Sequence, residues 1–265
     1  MFNLLANSVT ALSFGLQPAL ERALRFMQPA WNHTVQFEAF VASSTFRVGQ
    51  LPGVPSNSIA FFAYPELHID PTDTFLIATG PHGWFNLYCS IDIIAENPAL
   101  IIPSRLFVPH EGSRRMEAFL QRTDMLPIFF SRTGGGVGVR IDSNVDFDML
   151  LDVPTRITAH SLKVILHLLN YTPNEKQIQL RTAAGSPNVS SRRLARLVAA
   201  KVSHFVREAE RENPTITQWA DPRWRMGSGP GYIGSGDIVL LGIVFVSQGK
   251  ITPLLRVRGD FVFLF

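Results

Sequence analysis

The chain has 265 residues, a formal net charge of +3 at pH 7, 46% apolar residues and 17% charged residues. Neither end of the sequence carries a run of Lys and Arg, which disfavours a nucleic-acid-condensing arm, and no apolar run is long enough for a membrane span. The single cysteine, Cys89, excludes an intramolecular disulfide framework and disfavours a cysteine-based metal site. Because about a quarter of the residues in an average domain are charged, this low fraction favours a surface covered by other subunits. A large monomer with a Ser-, Thr- and Asn-rich surface is the alternative.

The N-terminal part is predicted to form an arm and a helix. Residues 1–16 are apolar but lack the basic segment of a signal peptide, since the first positive charge is Arg22. We therefore expect a buried or partner-contacting arm. A helix is predicted from residue 17 to Pro29, because Pro is favoured at the start of a helix and stops it later on. The predicted domains are an N-terminal arm and helix, residues 1–30, and a main domain, residues 31–265.

Short stretches with alternating apolar residues or β-branched runs, separated by Pro- and Gly-rich turns, predict eight or more β-strands. Before the closing hairpin, the predicted strands are residues 35–46, 59–64, 75–79, 84–94, 128–130, 137–141, 157–170 and 177–182. These segments do not alternate regularly with helices. That pattern is typical of a sandwich, a barrel or a jelly roll and not of a parallel α/β sheet.

One long helix is predicted at residues 191–212, where an apolar stripe has helical spacing and Asn213-Pro214 stops the helix. Its charges run against the helix dipole, with arginines at the start and glutamates at the end. We therefore expect the basic group to face phosphate or an acidic neighbouring subunit, and a solvated face with screened charges is the alternative. The basic group consists of Arg192, Arg193 and Arg196.

The sequence closes with a predicted antiparallel hairpin. Residues 238–246 form an apolar, β-branched run, residues 247–250 form a Gly-containing turn, and the return strand alternates. One face of the return strand carries Arg256, Arg258 and Asp260. The other face is apolar and consists of Leu255, Val257, Phe261, Phe263 and Phe265.

Motifs for catalysis are incomplete. The Gly-rich residues 132–138 lack the third glycine of a dinucleotide loop and the Gly-Lys-Ser/Thr of a phosphate loop, so a hairpin loop is favoured. Pro81-His82-Gly83 resembles part of the His-Pro-His-Gly box of diacylglycerol-type acyltransferases, with Gly80 in place of the first histidine, and a tight turn is favoured. An acyltransferase or hydrolase that uses His82 is one alternative function.

A monomeric β-sandwich that binds carbohydrate or protein is a second alternative. It would need an exposed aromatic platform, for which the candidates are Trp219, Trp224 and Tyr232. Packing beneath a loop is the favoured role of these rings.

The closing hairpin resembles that of a known family. Residues 239–265, with Gly259, Asp260, Phe261 and Phe263 in a Gly/Asp-Asp-Phe-x-Phe pattern, are similar to the last strands of picorna-like jelly-roll capsid proteins of positive-strand RNA viruses. The resemblance implies an all-β fold, an eight-stranded antiparallel jelly-roll sandwich with one or two peripheral helices. It implies a structural protein that self-assembles, alone or with sister subunits, into an icosahedral shell enclosing RNA. It also implies a place in the virion after assembly in the host cytoplasm, with genomic RNA and a host receptor as further partners.

For such a subunit we expect no catalytic activity, no cofactor and no metal site. RNA phosphates or neighbouring subunits are expected to contact Arg192, Arg193, Arg196, Arg114 and Arg115. The subunit interface is expected to include Phe2, Leu4, Leu5, Phe261, Phe263 and Phe265.

Overall fold

The fold is given by a computed structural model, which describes residues 1–31, 33–49, 55, 57–63, 87–107, 126–180, 188–212 and 221–264. The α-helices in these ranges are α1 (Phe2–Leu5), α2 (Val9–Phe14), α3 (Leu16–Met27), α4 (Phe37–Ser44), α5 (Asn144–Asp148) and α6 (Ser191–Glu212). The strands are β1 (Thr45–Arg47), β2 (Ser58–Ala63), β3 (Leu87–Ile93), β4 (Ile128–Phe129), β5 (Val139–Arg140), β6 (Ser161–Leu166), β7 (Asn174–Gln179), β8 (Ile238–Ser247) and β9 (Lys250–Val257).

The predicted all-β jelly roll is wrong. The described residues combine helices with a three-stranded sheet, in the order β1-β2-β3, and a six-stranded sheet. The larger sheet is mixed, because β6 runs parallel to β9, with Lys163 opposite Lys250 and Val164 opposite Ile251. A jelly roll consists of two antiparallel sheets packed face to face. Here helices cover both faces of the larger sheet instead.

The segment 35–46, predicted as a strand, contains helix α4 and ends in β1. Its apolar residues alternate, but Phe37, Phe40, Val41 and Ser44 also follow the spacing of a helix face. Phe40, Val41 and Ser44 are the buried residues of α4. Over so short a run the two periods cannot be told apart, and packing on the core decides in favour of the helix.

Other predicted elements are confirmed. Helix α6 spans the predicted residues, and α3 covers the predicted N-terminal helix. The closing hairpin is present, with β8 and β9 antiparallel and Leu240 opposite Leu255. Its return strand ends at Val257, so the prediction that Phe261 and Phe263 continue this strand is wrong. The larger sheet has the order β4-β8-β9-β6-β7, and β5 also pairs with β8. The predicted strands 59–64, 84–94, 128–130, 137–141, 157–170 and 177–182 overlap β2 to β7, whereas residues 75–79 lie outside the described ranges.

Gly242 interrupts the apolar run of β8 for a steric reason. A Cβ atom at this position would lie 2.4 Å from the carbonyl oxygen of Ile128 in β4. The register of β8 against β9 also shifts between Leu240 and Gly242. A glycine therefore lets β4 approach β8 closely enough to pair with it.

Opposite faces of the larger sheet carry two separate apolar clusters. Along β8, Leu240 belongs to the main core, whereas its neighbours Val239 and Leu241 belong to the second cluster. Helix α6 packs against β6, β7 and β8 and contributes Leu194 to the main core. Helix α2 packs against β3 and β9 and contributes Val9 to the second cluster.

The N-terminal helices share the main core with the rest of the chain. Leu5 of α1 and Met27 of α3 are buried in it, beside residues of α6 and β8. The domain boundary at residue 30 stays a prediction.

Two buried charged side chains tie the N-terminal helices to the sheets. Arg22 of α3 donates from Nη2 to the carbonyl oxygen of Phe245 in β8, at 2.9 Å. Asp92 of β3 accepts with Oδ1 from the backbone N–H of Thr10 at 3.2 Å and of Ile93 at 2.8 Å. Burial lowers the pKa of Arg22 to about 10, and burial raises the pKa of Asp92 to about 6.

Candidate interaction site

The N-terminus of α6 is capped by residues 150–153, which are distant in sequence but lie beside it in the fold. The backbone N–H of Ser191 donates to the carbonyl oxygen of Val153 at 2.9 Å, and Ser191 Oγ donates to that of Leu151 at 2.5 Å. The Asp152 carboxylate accepts from the backbone N–H of Arg192 at 3.2 Å. The contacts of Val153 and Asp152 satisfy two N–H groups that lack partners within the helix, and Asp152 brings negative charge to the positive end of the helix dipole.

Arg192 and Arg196 are paired with carboxylates of the same chain. Arg192 Nε lies 3.8 Å from Asp152 Oδ2, and Arg192 Nη2 donates to the carbonyl oxygen of Asp148 at 3.3 Å. Arg196 Nη2 lies 2.8 Å from Asp148 Oδ1. The partner that the sequence places outside the helix is therefore an acidic segment of the chain itself.

Arg193, the third arginine of the basic group, also has a partner within the chain, because its Nε donates to the carbonyl oxygen of Leu180 at 3.0 Å. Sequence reasoning missed these partners, although a signal exists. The run DSNVDFDMLLD, residues 142–152, contains four aspartates. Its contacts with α6 join residues 40 and 48 positions apart, so local spacing does not reveal them.

Three exposed apolar side chains belong to the same segment as Asp148 and Asp152. Val145 is 70% exposed, Met149 40% and Val153 38%. We call this surface the α6 shoulder, which consists of Val145, Asp148, Met149, Asp152, Val153, Arg192 and Arg196. An apolar centre with a polar rim is typical of a protein contact. The two aspartates also repel a phosphate at this surface, because like charges repel.

The segment 261–264 has an inward and an outward face. Phe261 and Phe263 pack against the main core with their ring centroids 5.1 Å apart, and Phe263 meets Trp224 edge to face at 5.6 Å. Val262 is 69% exposed and Leu264 61% exposed. The predicted interface residues Phe261 and Phe263 thus contact the chain's own core, and the positions beside them face solvent.

Some of the other predicted site residues lie within the described ranges, and the rest do not. Leu5 is buried in the main core and Leu4 packs partly buried against it, so their role in a subunit interface stays a prediction. Of the aromatic platform, Trp224 is buried and Tyr232 is partly exposed. The side chain of Phe2, and the whole of His82, Arg114, Arg115, Trp219 and Phe265, lie outside the described residues.

The described residues contain neither a metal-binding cluster nor a helix suited to span a membrane. Within the described ranges, no group of His, Cys, Asp and Glu is placed to hold a metal ion. None of the helices in these ranges has the length and apolar character needed to cross a membrane. Comparisons with protein-family models, curated proteins and solved structures gave no match.

Proposed function

We propose that the chain is a structural subunit that assembles with copies of itself. The observation that carries this proposal is the alternation in segment 261–264, where Phe261 and Phe263 anchor the chain and Val262 and Leu264 present apolar side chains to solvent. Among the described residues, this segment belongs to neither sheet. A segment that is anchored by two aromatic rings and carries outward apolar side chains offers an apolar surface to a groove of a second chain.

Burial at such a contact supplies the driving force. Removing a side chain such as Val262 or Leu264 from water contributes about 1.5–3 kcal/mol each. The α6 shoulder is proposed as a second contact surface, because Val145 and Met149 are exposed on the segment whose aspartates already pair with Arg192 and Arg196. Because each subunit would make both contacts, many small interfaces together would stabilise the assembly.

In its specific form the proposal is a viral capsid subunit without catalytic activity, in a shell that encloses RNA within the virion. The likeness of residues 239–265 to closing capsid strands and the charged fraction of 17% support this form. The fold adds no support, since the described residues form mixed sheets with helices. RNA would have to compete with Asp148 and Asp152 for Arg192 and Arg196, so protein contact is the favoured use of the shoulder.

The first test is the double substitution Val262→Asp with Leu264→Asp. Particles seen by light scattering and negative-stain imaging are expected to disappear, because charge replaces the apolar contact. The free energy of unfolding should stay within about 0.5 kcal/mol of wild type, since both side chains are exposed. Val35→Asp, at an exposed apolar residue elsewhere, is the matched control. Particles that persist in the double variant would remove segment 261–264 from the contact.

The second test separates protein contact from RNA contact at the shoulder. The pairs Arg192→Ala with Arg196→Ala and Asp148→Asn with Asp152→Asn are compared for particle yield and RNA content. A protein contact predicts lower yield in both pairs. An RNA contact predicts less RNA in the arginine pair and more RNA in the aspartate pair. Unchanged yield and RNA content in both would exclude the shoulder from either role.

A further inference from the structure

A cavity of about 150 Å³ lies on the face of the larger sheet that is opposite α6. Its apolar wall includes Val9 of α2, Leu241 of β8 and Val137. Val137 pairs antiparallel with Ser131, so the Gly-rich residues between them form the predicted hairpin loop, called here the Gly-rich hairpin. Gly136 and Gly259 also line it, and a Cβ atom at either position meets nothing within 4 Å, so the rim is open there. A cavity of about this volume with apolar walls is large enough to hold benzene.

Polar side chains line the same cavity, namely Arg256, Glu96 and Asn97. Arg256 is partly buried, and among the described residues its guanidinium makes one hydrogen bond, from Nη1 to the carbonyl oxygen of Val257 at 3.2 Å. Burial lowers the pKa of Arg256, and the nearby Glu96 acts in the opposite direction. No ion pair within 4.0 Å joins the Arg256 guanidinium to a carboxylate in the described ranges.

The cavity therefore holds a positive and a negative group that face one space without touching. The Arg256 guanidinium has N–H donors that no carboxylate of the described residues takes up, and its planar fork matches a carboxylate. Glu96 is exposed at the mouth, where it can accept from a cation. Asn97 Oδ1 already accepts from the backbone N–H of Ala99 at 3.1 Å, which leaves its side-chain N–H groups as donors.

We propose that this cavity binds a small zwitterionic amino acid with an apolar side chain of about the size of leucine. The ligand carboxylate pairs with Arg256, its ammonium group faces Glu96, and its side chain lies against Val9, Val137 and Leu241. A simple carboxylate would leave Glu96 without a partner, and a simple amine would leave Arg256 without one. This inference is independent of the assembly proposed above.

Isothermal titration calorimetry on the full chain tests the ligand class. The ligands are leucine, 4-methylpentanoate, which lacks the ammonium group, and 3-methylbutylamine, which lacks the carboxylate. Leucine is expected to bind about tenfold or more tightly than either analogue, because each loses one charged hydrogen-bond partner. Equal affinity for leucine and 4-methylpentanoate would reduce the site to a carboxylate site and overturn the zwitterion proposal.

Variants place the binding in this cavity. Arg256→Gln is expected to weaken leucine about tenfold or more, and Glu96→Gln to weaken leucine but not 4-methylpentanoate. Ala95→Leu fills the cavity and should abolish binding of all three ligands. Glu38→Gln, at an exposed site elsewhere, is the control, and thermal melting verifies that each variant is folded. If no ligand binds saturably, or if Ala95→Leu leaves leucine affinity unchanged, the cavity is a solvated crevice and the proposal is wrong.

Discussion

The two faces of the larger sheet are covered differently. On one face α6 spans 22 residues and supplies a long buried stripe to the main core, whereas on the other α2 spans 6 residues and leaves a cavity beside it. The arginines on the two sides also differ, because one has a carboxylate partner and the other does not among the described residues. Arg196 lies 2.8 Å from a carboxylate, but Arg256 has none within 4.0 Å among the described residues.

This comparison shows that a local count of charges does not identify which arginine lacks a carboxylate partner among the described residues. The cluster at the start of α6 is the denser one in the sequence, yet segment 142–152 provides its carboxylate partners. Arg256 is flanked by apolar residues in the sequence, and its surroundings come from four other parts of the chain. Availability is set by tertiary structure.

The largest change in unfolding free energy is expected when two neighbouring leucines of β8, on opposite faces of the larger sheet, are each replaced by alanine. Leu240→Ala should lower the free energy of unfolding by about 2–5 kcal/mol, the usual cost of a new cavity in a packed core. Leu241→Ala should cost less, because Leu241 already borders a cavity and loses fewer packing contacts. Urea denaturation of both variants measures the difference. A loss at Leu241 equal to or greater than that at Leu240 would contradict the account of the two faces.

The next effect concerns Asp92, which binds the backbone of Thr10 in α2. Its pKa of about 6 in the folded chain exceeds the ordinary value of 3.8, so folding favours the protonated form. The resulting stabilisation is complete below pH 3.8 and is lost as the pH rises through 6, and it amounts to about 3 kcal/mol at most.

Urea denaturation of wild type and Asp92→Asn between pH 3 and 8 checks this prediction. The difference in unfolding free energy between the two chains isolates Asp92, because the other carboxylates cancel. We expect wild type to lose stability relative to the variant as the pH rises through 6. A difference that stays constant with pH would show that Asp92 does not titrate in this way.

The smallest changes in stability are expected at the start of α6, where a helix cap and an exposed ion pair can be removed separately. Asp152→Ala removes an acceptor for a helix N-terminal N–H and should cost about 1 kcal/mol. Arg196→Ala removes an exposed ion pair and should cost less than about 1 kcal/mol, with the cost shrinking at high salt. Thermal denaturation at low and high salt measures both. A larger loss for Arg196 would mean that the ion pair, and not the cap, holds the shoulder in place.

The elements that the sequence predicted correctly are those with long, single-period patterns. Helix α6 and the hairpin of β8 and β9 are examples, because each repeats its pattern over several turns or residue pairs. Helix α4 was misassigned because both periods fit its short apolar run. The jelly roll failed for another reason: local pattern does not specify that β6 pairs in parallel with β9.

The candidate surfaces were predictable only in part. The arginine cluster and the alternation around Phe261 and Phe263 are visible in the sequence. The sequence does not show which side chains of each pattern contact the core and which face solvent. Phe261 and Phe263 turn inward because Trp224 and the main core lie beneath them. The cavity could not be predicted at all, since it forms where α2, the end of β3, the Gly-rich hairpin and the β8–β9 pair meet.

The measurement that tests the proposed function most directly is the molar mass of the purified wild-type chain by size-exclusion chromatography with light scattering. A structural subunit predicts a uniform species many times heavier than 29.5 kDa, seen as regular particles by negative-stain imaging. A single species at 29.5 kDa over a wide range of concentration would contradict self-assembly.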